Sequence, residues 1–187
     1  MARTGAPTPF VNKPSDPMRD LLLSAVVAAL LALSGCSEYT GELTYVSRDG
    51  VSIGVPDYMS ETSDLHPDAV LQFSSSYRNM YLLVLRSSAD GSFADHNRSA
   101  LAELLDAEVF DEAHVADSLV VDHDGFDALQ FEVLAYEGPH PVYTMGRTID
   151  AGDTHYRVLV WTRAAYRRQA FGEDMKAILA SIRILEP

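Results

Sequence analysis

Residues 114–162 read HVADSLVVDHDGFDALQFEVLAYEGPHPVYTMGRTIDAGDTHYRVLVWT, and this stretch decides the fold. Runs rich in Val, Leu, Phe, Tyr and Thr occupy 114–121, 126–136, 142–149 and 154–162. Between them stand Asp124-Gly125, Gly138-Pro139-His140-Pro141 and Ala151-Gly152-Asp153. Short β-branched and aromatic runs separated by such turn residues predict antiparallel strands joined as hairpins. Asp-Gly supplies the positive φ that a two-residue hairpin turn requires. Within 126–136 the alternation places Leu129, Phe131 and Val133 inward and Gln130 and Glu132 outward.

Upstream of this meander the same signals recur. Leu43–Ser47 and Val51–Val55 flank Arg48-Asp49-Gly50 and predict a further hairpin, with Pro56 ending its second strand. Residues 57–68 read as a loop, and Ala69–Ser74 as a strand. Asn79–Arg86 (NMYLLVLR) is nearly continuous apolar, which predicts a strand covered on both faces. Ser92–Glu108 predicts a helix, with Ser92 and Asp95 placed as a capping box and Leu101, Leu104 and Leu105 on one stripe. A second helix is expected over about 165–181, where Phe171, Met175, Ile178, Leu179 and Ile182 share a face. Ile184 and Leu185 follow as a short terminal strand or coil. Strand runs with two separated helices give an α+β class, a central antiparallel sheet flanked by helices.

The N-terminal region follows different rules. Leu21–Leu33 (LLLSAVVAALLAL) is uncharged, apolar and preceded by Arg19. It is shorter than the roughly 20 residues of a membrane-spanning helix and fits the core of a secretory signal peptide. Met18 gives a more compact start than Met1. Leu33-Ser34-Gly35-Cys36 follows directly and resembles the lipobox of bacterial lipoproteins. That resemblance implies cleavage after residue 35 and diacylation (palmitate-type chains) of Cys36. One acyl chain anchors only marginally, so two or more are used. The organisation expected is therefore a signal region 1–35, a lipidated tether 36–41 and a single domain 42–187. Ser37 in place of Asp leans to the outer membrane, where the envelope has one.

Cys36 is the single cysteine, so acylation leaves no thiol for a disulfide, a zinc site or a nucleophile. The formal charge is −13. Residues 1–35 hold three basic and two acidic side chains, so residues 36–187 carry −14. That charge argues against nucleic acid as a partner, whose phosphates demand a basic patch.

The order and punctuation of the elements resemble PsbP-like domains, named for an extrinsic protein of photosystem II. The marks are Val55-Pro56-Asp57-Tyr58 after an early strand, the Gly125 turn, and Phe171, Ile178 and Ser181-Ile182-Arg183 at the close. Tyr58 departs from the pattern, where Trp is common. The resemblance covers roughly Gly50 to Arg183. It implies an α/β/α sandwich around a central antiparallel sheet, with no shared chemistry and a binding or assembly role.

Signatures of catalysis are sparse. Asp122, Asp124 and Asp127 around Gly125 are a weak candidate for a hard-cation loop, but Gly is fourth rather than sixth and no Glu stands at the twelfth position. A hairpin turn accounts for the same residues. His66, His96, His114, His123, His140 and His155 form no H-x-x-x-H, H-E-x-x-H or H-x-H pair. No G-x-S-x-G elbow, G-x-G-x-x-G or P-loop occurs. Tyr77, Tyr81, Tyr136, Tyr143, Tyr156, Trp161 and Tyr166 can form either an interaction surface or ordinary sheet packing. Arg147, Arg157 and Arg163 can form either an anion-binding stripe or cross-strand pairs with Glu132 or Asp150. The expectation is a non-enzymatic, lipid-anchored envelope protein without a cofactor, binding or helping assemble another envelope protein. The alternative is a small-molecule or ion carrier.

Overall fold

The computed structural model describes residues 42–106, 110–165 and 168–185. All lie within Tyr39–Pro187, the second of two units into which the chain divides. Among the described residues ten strands and two helices run in the order β1 (Leu43–Arg48), β2 (Val51–Pro56), β3 (Ser60–Glu61), β4 (Ala69–Ser75), β5 (Met80–Ser88), α1 (Phe93–Leu104), β6 (Asp111–His123), β7 (Phe126–Glu137), β8 (His140–Asp150), β9 (Thr154–Thr162), α2 (Arg168–Ala180) and β10 (Arg183–Ile184). The α+β class with antiparallel sheets and two helices is as expected.

Two of the predicted hairpins close as their residues require. Asp49 and Gly50 have φ of 47° and 82°, and Asp124 and Gly125 have φ of 56° and 88°. Positive φ at both central positions matches the right-handed twist of the flanking strands. The large sheet has strand order β3-β4-β5-β9-β8-β7-β6. Its centre is the long-range pairing of β5 with β9, from Met80 opposite Thr162 to Ser88 opposite Thr154. A small sheet, β1-β2-β10, is separate.

The large sheet lies between the two helices, as expected, with the small sheet added on one flank. One flank of the large sheet is α1. The other is α2 together with the small sheet, whose β2 is buried at every position. The core on this second flank joins Ile53 of β2, Met145 and Val158 of the sheet, and Met175, Ile178 and Leu179 of α2. A second core under α1 joins Leu83, Phe131, Val133 and Leu159, with Leu101, Leu104 and Leu105 packed on it. The helical stripes read from sequence therefore face opposite sides of one sheet.

Covering both faces also corrects the inward–outward reading of β7. Phe131 and Val133 face α1 as expected, but Ala128 is buried on the opposite side, and Gln130 sits there as a hydrogen-bond partner rather than in solvent. Gly146 on β8 explains how Phe131 lies flat across the sheet. A Cβ there would stand 2.2 Å from Phe131 Cζ.

Boundaries shift by a few residues. The helix expected over 92–108 ends at Leu104, with Leu105 donating to Leu101 and Ala102 carbonyls, and residues 107–109 lie outside the described set. Ser92 Oγ accepts from the Asp95 N–H at 3.2 Å, one half of the capping box, and its hydroxyl donates to Asp95 Oδ2 at 2.7 Å; this second bond and Arg98 hold the Asp95 carboxyl below its ordinary range. The expected loop 57–68 contains β3, which pairs with β4. β8 begins at His140, so its hairpin turn is Gly138-Pro139 alone.

Candidate functional site

The segment Asp122–Asp127 is the β6–β7 turn. Asp122 Oδ1 accepts from the Gly125 N–H at 3.1 Å, Asp124 lies 3.5 Å from Arg183, and Asp127 stands opposite Asp122 across the ladder. These carboxylates serve a turn, an ion pair and a strand. Among the described residues no three His, Cys, Asp or Glu side chains converge as metal ligands. Cys36 lies outside the described residues.

The three arginines do not form one stripe. In the ladder Arg147 is opposite Val158 and Thr148 opposite Arg157, so Arg147 and Arg157 leave the sheet on opposite faces. Arg147, toward α2, donates to Gln130 Oε1 at 2.6 Å and to the Leu179 carbonyl at 2.9 Å, and lies 2.8 Å from His123 Nδ1. Burial first, and Arg147 second, hold His123 below its ordinary imidazole range, so the ring is neutral and Nδ1 accepts. Arg157, toward α1, pairs with Glu103. Arg163 pairs with Glu137 at 2.7 Å and stands over the Tyr81 ring.

Sequence reasoning missed a histidine pair. His96 of α1 packs on His155 of β9 with ring centroids 4.6 Å apart, and His155 lies 3.5 Å from Asp150. Burial, then the neighbouring His155 and Arg157, push His96 down to about 4. No local spacing links residues 59 apart; only the docking of α1 brings them together.

The two sequence marks that bracket the domain meet in space. The Tyr58 hydroxyl donates to Asp174 Oδ2 of α2 at 2.7 Å, and Arg78 donates to the same oxygen at 3.0 Å while its guanidinium lies 3.9 Å from the Tyr58 ring centroid. Burial, then Asp174, push the Tyr58 hydroxyl well above the ordinary phenol range. At the other end of α2, Ser181 Oγ accepts from the Gly54 N–H at 2.8 Å and donates to the Ile178 carbonyl at 2.6 Å. β10 pairs only with Val51 and Ser52 of β2, so Gly54 lies beyond it and Ser181 takes its donor.

Solved structures share this arrangement. Cyanobacterial PsbP (CyanoP) from Synechocystis sp. PCC 6803 superposes with a TM-score of 0.61 at 15% identity, over 77% of this chain and 93% of its own. The Ran-binding protein Mog1p of Saccharomyces cerevisiae gives 0.57 at 11%, over 77% and 97%. LpqN of Mycobacterium tuberculosis, involved in cell envelope biogenesis, gives 0.59 at 12%, over 78% and 91%. The fold is that of PsbP and Mog1. At these identities the likeness establishes the fold alone. No family model and no curated protein matches the sequence.

On this PsbP-like frame two kinds of surface are open to a ligand. One is a half-open cleft of about 680 Å³ at the end of the sheet where the β1–β2 and β8–β9 turns meet, lined by Asp49, Arg86, Phe126, Asp153, Tyr156 and Leu185 among others. The other is the exposed apolar surface. Tyr143 and Tyr156 are core residues, Tyr166 lies outside the described set, and Tyr81 stacks on Trp161 at 5.1 Å. Tyr77 and Tyr136 stay exposed, at 92% and 44%. Leu119 and Val120 are exposed at 61% and 72% on β6, the last strand of the large sheet. The aromatic reading thus splits between core and surface, and the largest aliphatic exposure falls on a strand expected to be ordinary.

Proposed function

We propose that the protein is an exported lipoprotein, anchored through acylated Cys36, whose PsbP-like domain binds or helps assemble another envelope protein. The observation that carries the reading is the pair of adjacent aliphatic side chains, Leu119 and Val120, held open to solvent on a sheet edge. Large exposed apolar groups on a free edge strand are what a protein partner covers and what an isolated soluble domain avoids. The fold supports a binding role by analogy with the Ran-binding Mog1p, and an envelope setting by analogy with LpqN. Leu33-Ser34-Gly35-Cys36 supports the anchor, and the tether 36–41 holds the domain close to the bilayer. The outer membrane is its place if the envelope has one. No catalysis is assigned.

Membrane fractionation tests the anchor. Wild-type protein is expected in the membrane fraction, and Cys36→Ser is expected in the soluble fraction with its fold retained. Crosslinking in native membranes, followed by purification under denaturing conditions, tests the partner; recovery of no protein above background refutes it.

A second reading, a small-molecule carrier, is favoured by the cleft beside Arg86, which has no acidic partner among the described residues. If that reading holds, Arg86→Ala abolishes the ligand-induced rise in melting temperature found when envelope extracts are screened.

A further inference from the structure

We propose that the free edge of β6, over residues 117–122, is a docking site for an extended, basic strand of a partner protein, added antiparallel or parallel to the large sheet. The inference rests on the binding role proposed above and names the chemistry of the partner.

The edge has two different halves. Near its start, β6 is irregular. Its register with β7 shifts between Asp111 and His114 and again between Val115 and Asp117, and Glu112 has a φ of 50°. Bulges of this kind twist an edge away from further pairing. From Asp117 to His123 the pairing is one-to-one, Asp117 with Glu132 through to His123 with Phe126. That half is a straight ladder whose outer N–H and C=O groups have no strand partner among the described residues. The six residues 117–122 offer about 20 Å of edge, enough for one short strand.

The side chains say what kind of strand. Sheet edges are ordinarily guarded by lysine or by an inward-pointing charge. β6 has no Lys or Arg, and carries Asp111, Glu112, Asp117 and Asp122. Its neighbour worsens the balance. Asp117 stands opposite Glu132, and Asp122 opposite Asp127. Like charges directly opposite across a ladder are destabilising. A cation arriving on the outer side of β6 would meet Asp117 on one face and relieve the Asp122–Asp127 pair on the other. Asp117 and Leu119 point to one face, and Val120 and Asp122 to the other. Each face of the edge therefore offers one carboxylate and one exposed aliphatic group. The complementary strand reads basic, any, aliphatic, aliphatic, any, basic. A second copy of β6 would bring acid to acid, so self-pairing is disfavoured.

The probe is the synthetic peptide Lys-Thr-Val-Val-Thr-Lys, whose pattern is the same in both directions, with Glu-Thr-Val-Val-Thr-Glu as its counterpart. Both are titrated against the detergent-solubilised full chain by fluorescence anisotropy and by amide hydrogen exchange. The basic peptide is expected to bind, to protect amides within 117–122, and to weaken as salt shortens the Debye length. The acidic peptide is expected not to bind. Leu119→Lys with Val120→Lys, at exposed positions, is expected to weaken binding at least about tenfold while the melting temperature holds. Asp117→Asn with Asp122→Asn is expected to weaken binding and flatten its salt dependence. Equal binding of both peptides, no binding of the basic one, or indifference to both double variants overturns the proposal. So does a dimer of the full chain that the Leu119/Val120 variant dissolves. A crosslinked envelope partner retained by that variant overturns the edge site while the broader binding role stands; no crosslinked partner with either protein refutes the broader role instead.

Discussion

Replacing Arg78 by Met should destabilise the domain by about 3 kcal/mol, and the reason lies in one carboxylate. The Asp174 side chain is 4% exposed and that of Arg78 17%. Among the described residues Asp174 Oδ2 has two partners, Arg78 and the Tyr58 hydroxyl. Methionine keeps the length of the stem but leaves Asp174 with Tyr58 alone. Removing one partner of a buried ion pair costs about 3–5 kcal/mol, because the other charge stays buried and uncompensated. Water still reaches the guanidinium, which puts the cost at the lower end. For a domain of this size about 3 kcal/mol lowers the melting temperature by roughly 10 °C. Asp174→Asn leaves a cation that can turn to solvent and should cost about 1–2 kcal/mol. The double variant removes both charges, so its cost should fall short of the sum by about 1.5 kcal/mol or more. Urea unfolding measures all three, provided the slope with denaturant stays constant. A cost below about 1 kcal/mol for Arg78→Met, or single costs that add within about 0.5 kcal/mol, refutes the buried-pair account.

Gly146→Ala should cost about 3 kcal/mol, since its Cβ would lie 2.2 Å from the Phe131 ring and that ring is fully buried; Phe131→Leu in the same chain should recover part of the loss in a thermal melt. Ser181→Ala should cost about 1–3 kcal/mol by leaving the buried Gly54 N–H without its acceptor, measured by urea unfolding. Stability should fall in acid through His96. Its folded value is depressed from 6.5 to about 4, so the unfolded chain binds the extra proton. The contribution is fully present above 6.5 and is lost as pH falls from 6.5 toward about 4. His123 shifts in the same direction. Urea midpoints at pH 7 and pH 5 check the sign, and an NMR titration placing His96 at or above 6.5 would contradict it.

Local features of the fold were legible because their causes are local. Asp49-Gly50 and Asp124-Gly125 announce tight hairpins, and the Phe171–Ile182 stripe announces a helix docked by one face. What stayed hidden depends on pairing over long distances. β9 joins β5 at the centre of the large sheet, and nothing in either strand states that order. Because both faces of the sheet are covered, Gln130 and Arg147 sit in a packed layer although alternation alone puts Gln130 outside. The candidate docking edge was invisible for the same reason. Leu119 and Val120 read as any strand's interior until β6 is known to be terminal. In the sequence Tyr58 is only a departure from a pattern, and its purpose appears once Asp174, 116 residues later, is beside it.

β2 lies between the first strand of the domain and the last, β1 on one side and β10 on the other. A chain made from its N-terminus therefore holds this buried strand half-paired until Arg183 and Ile184 have been added. A stop before Ser181 would strip β2 of both Arg183–Ile184 and Ser181, which predicts that such truncations are degraded rather than accumulated. The arrangement makes the segment from Ser181 to Ile184 a condition for closing the small sheet.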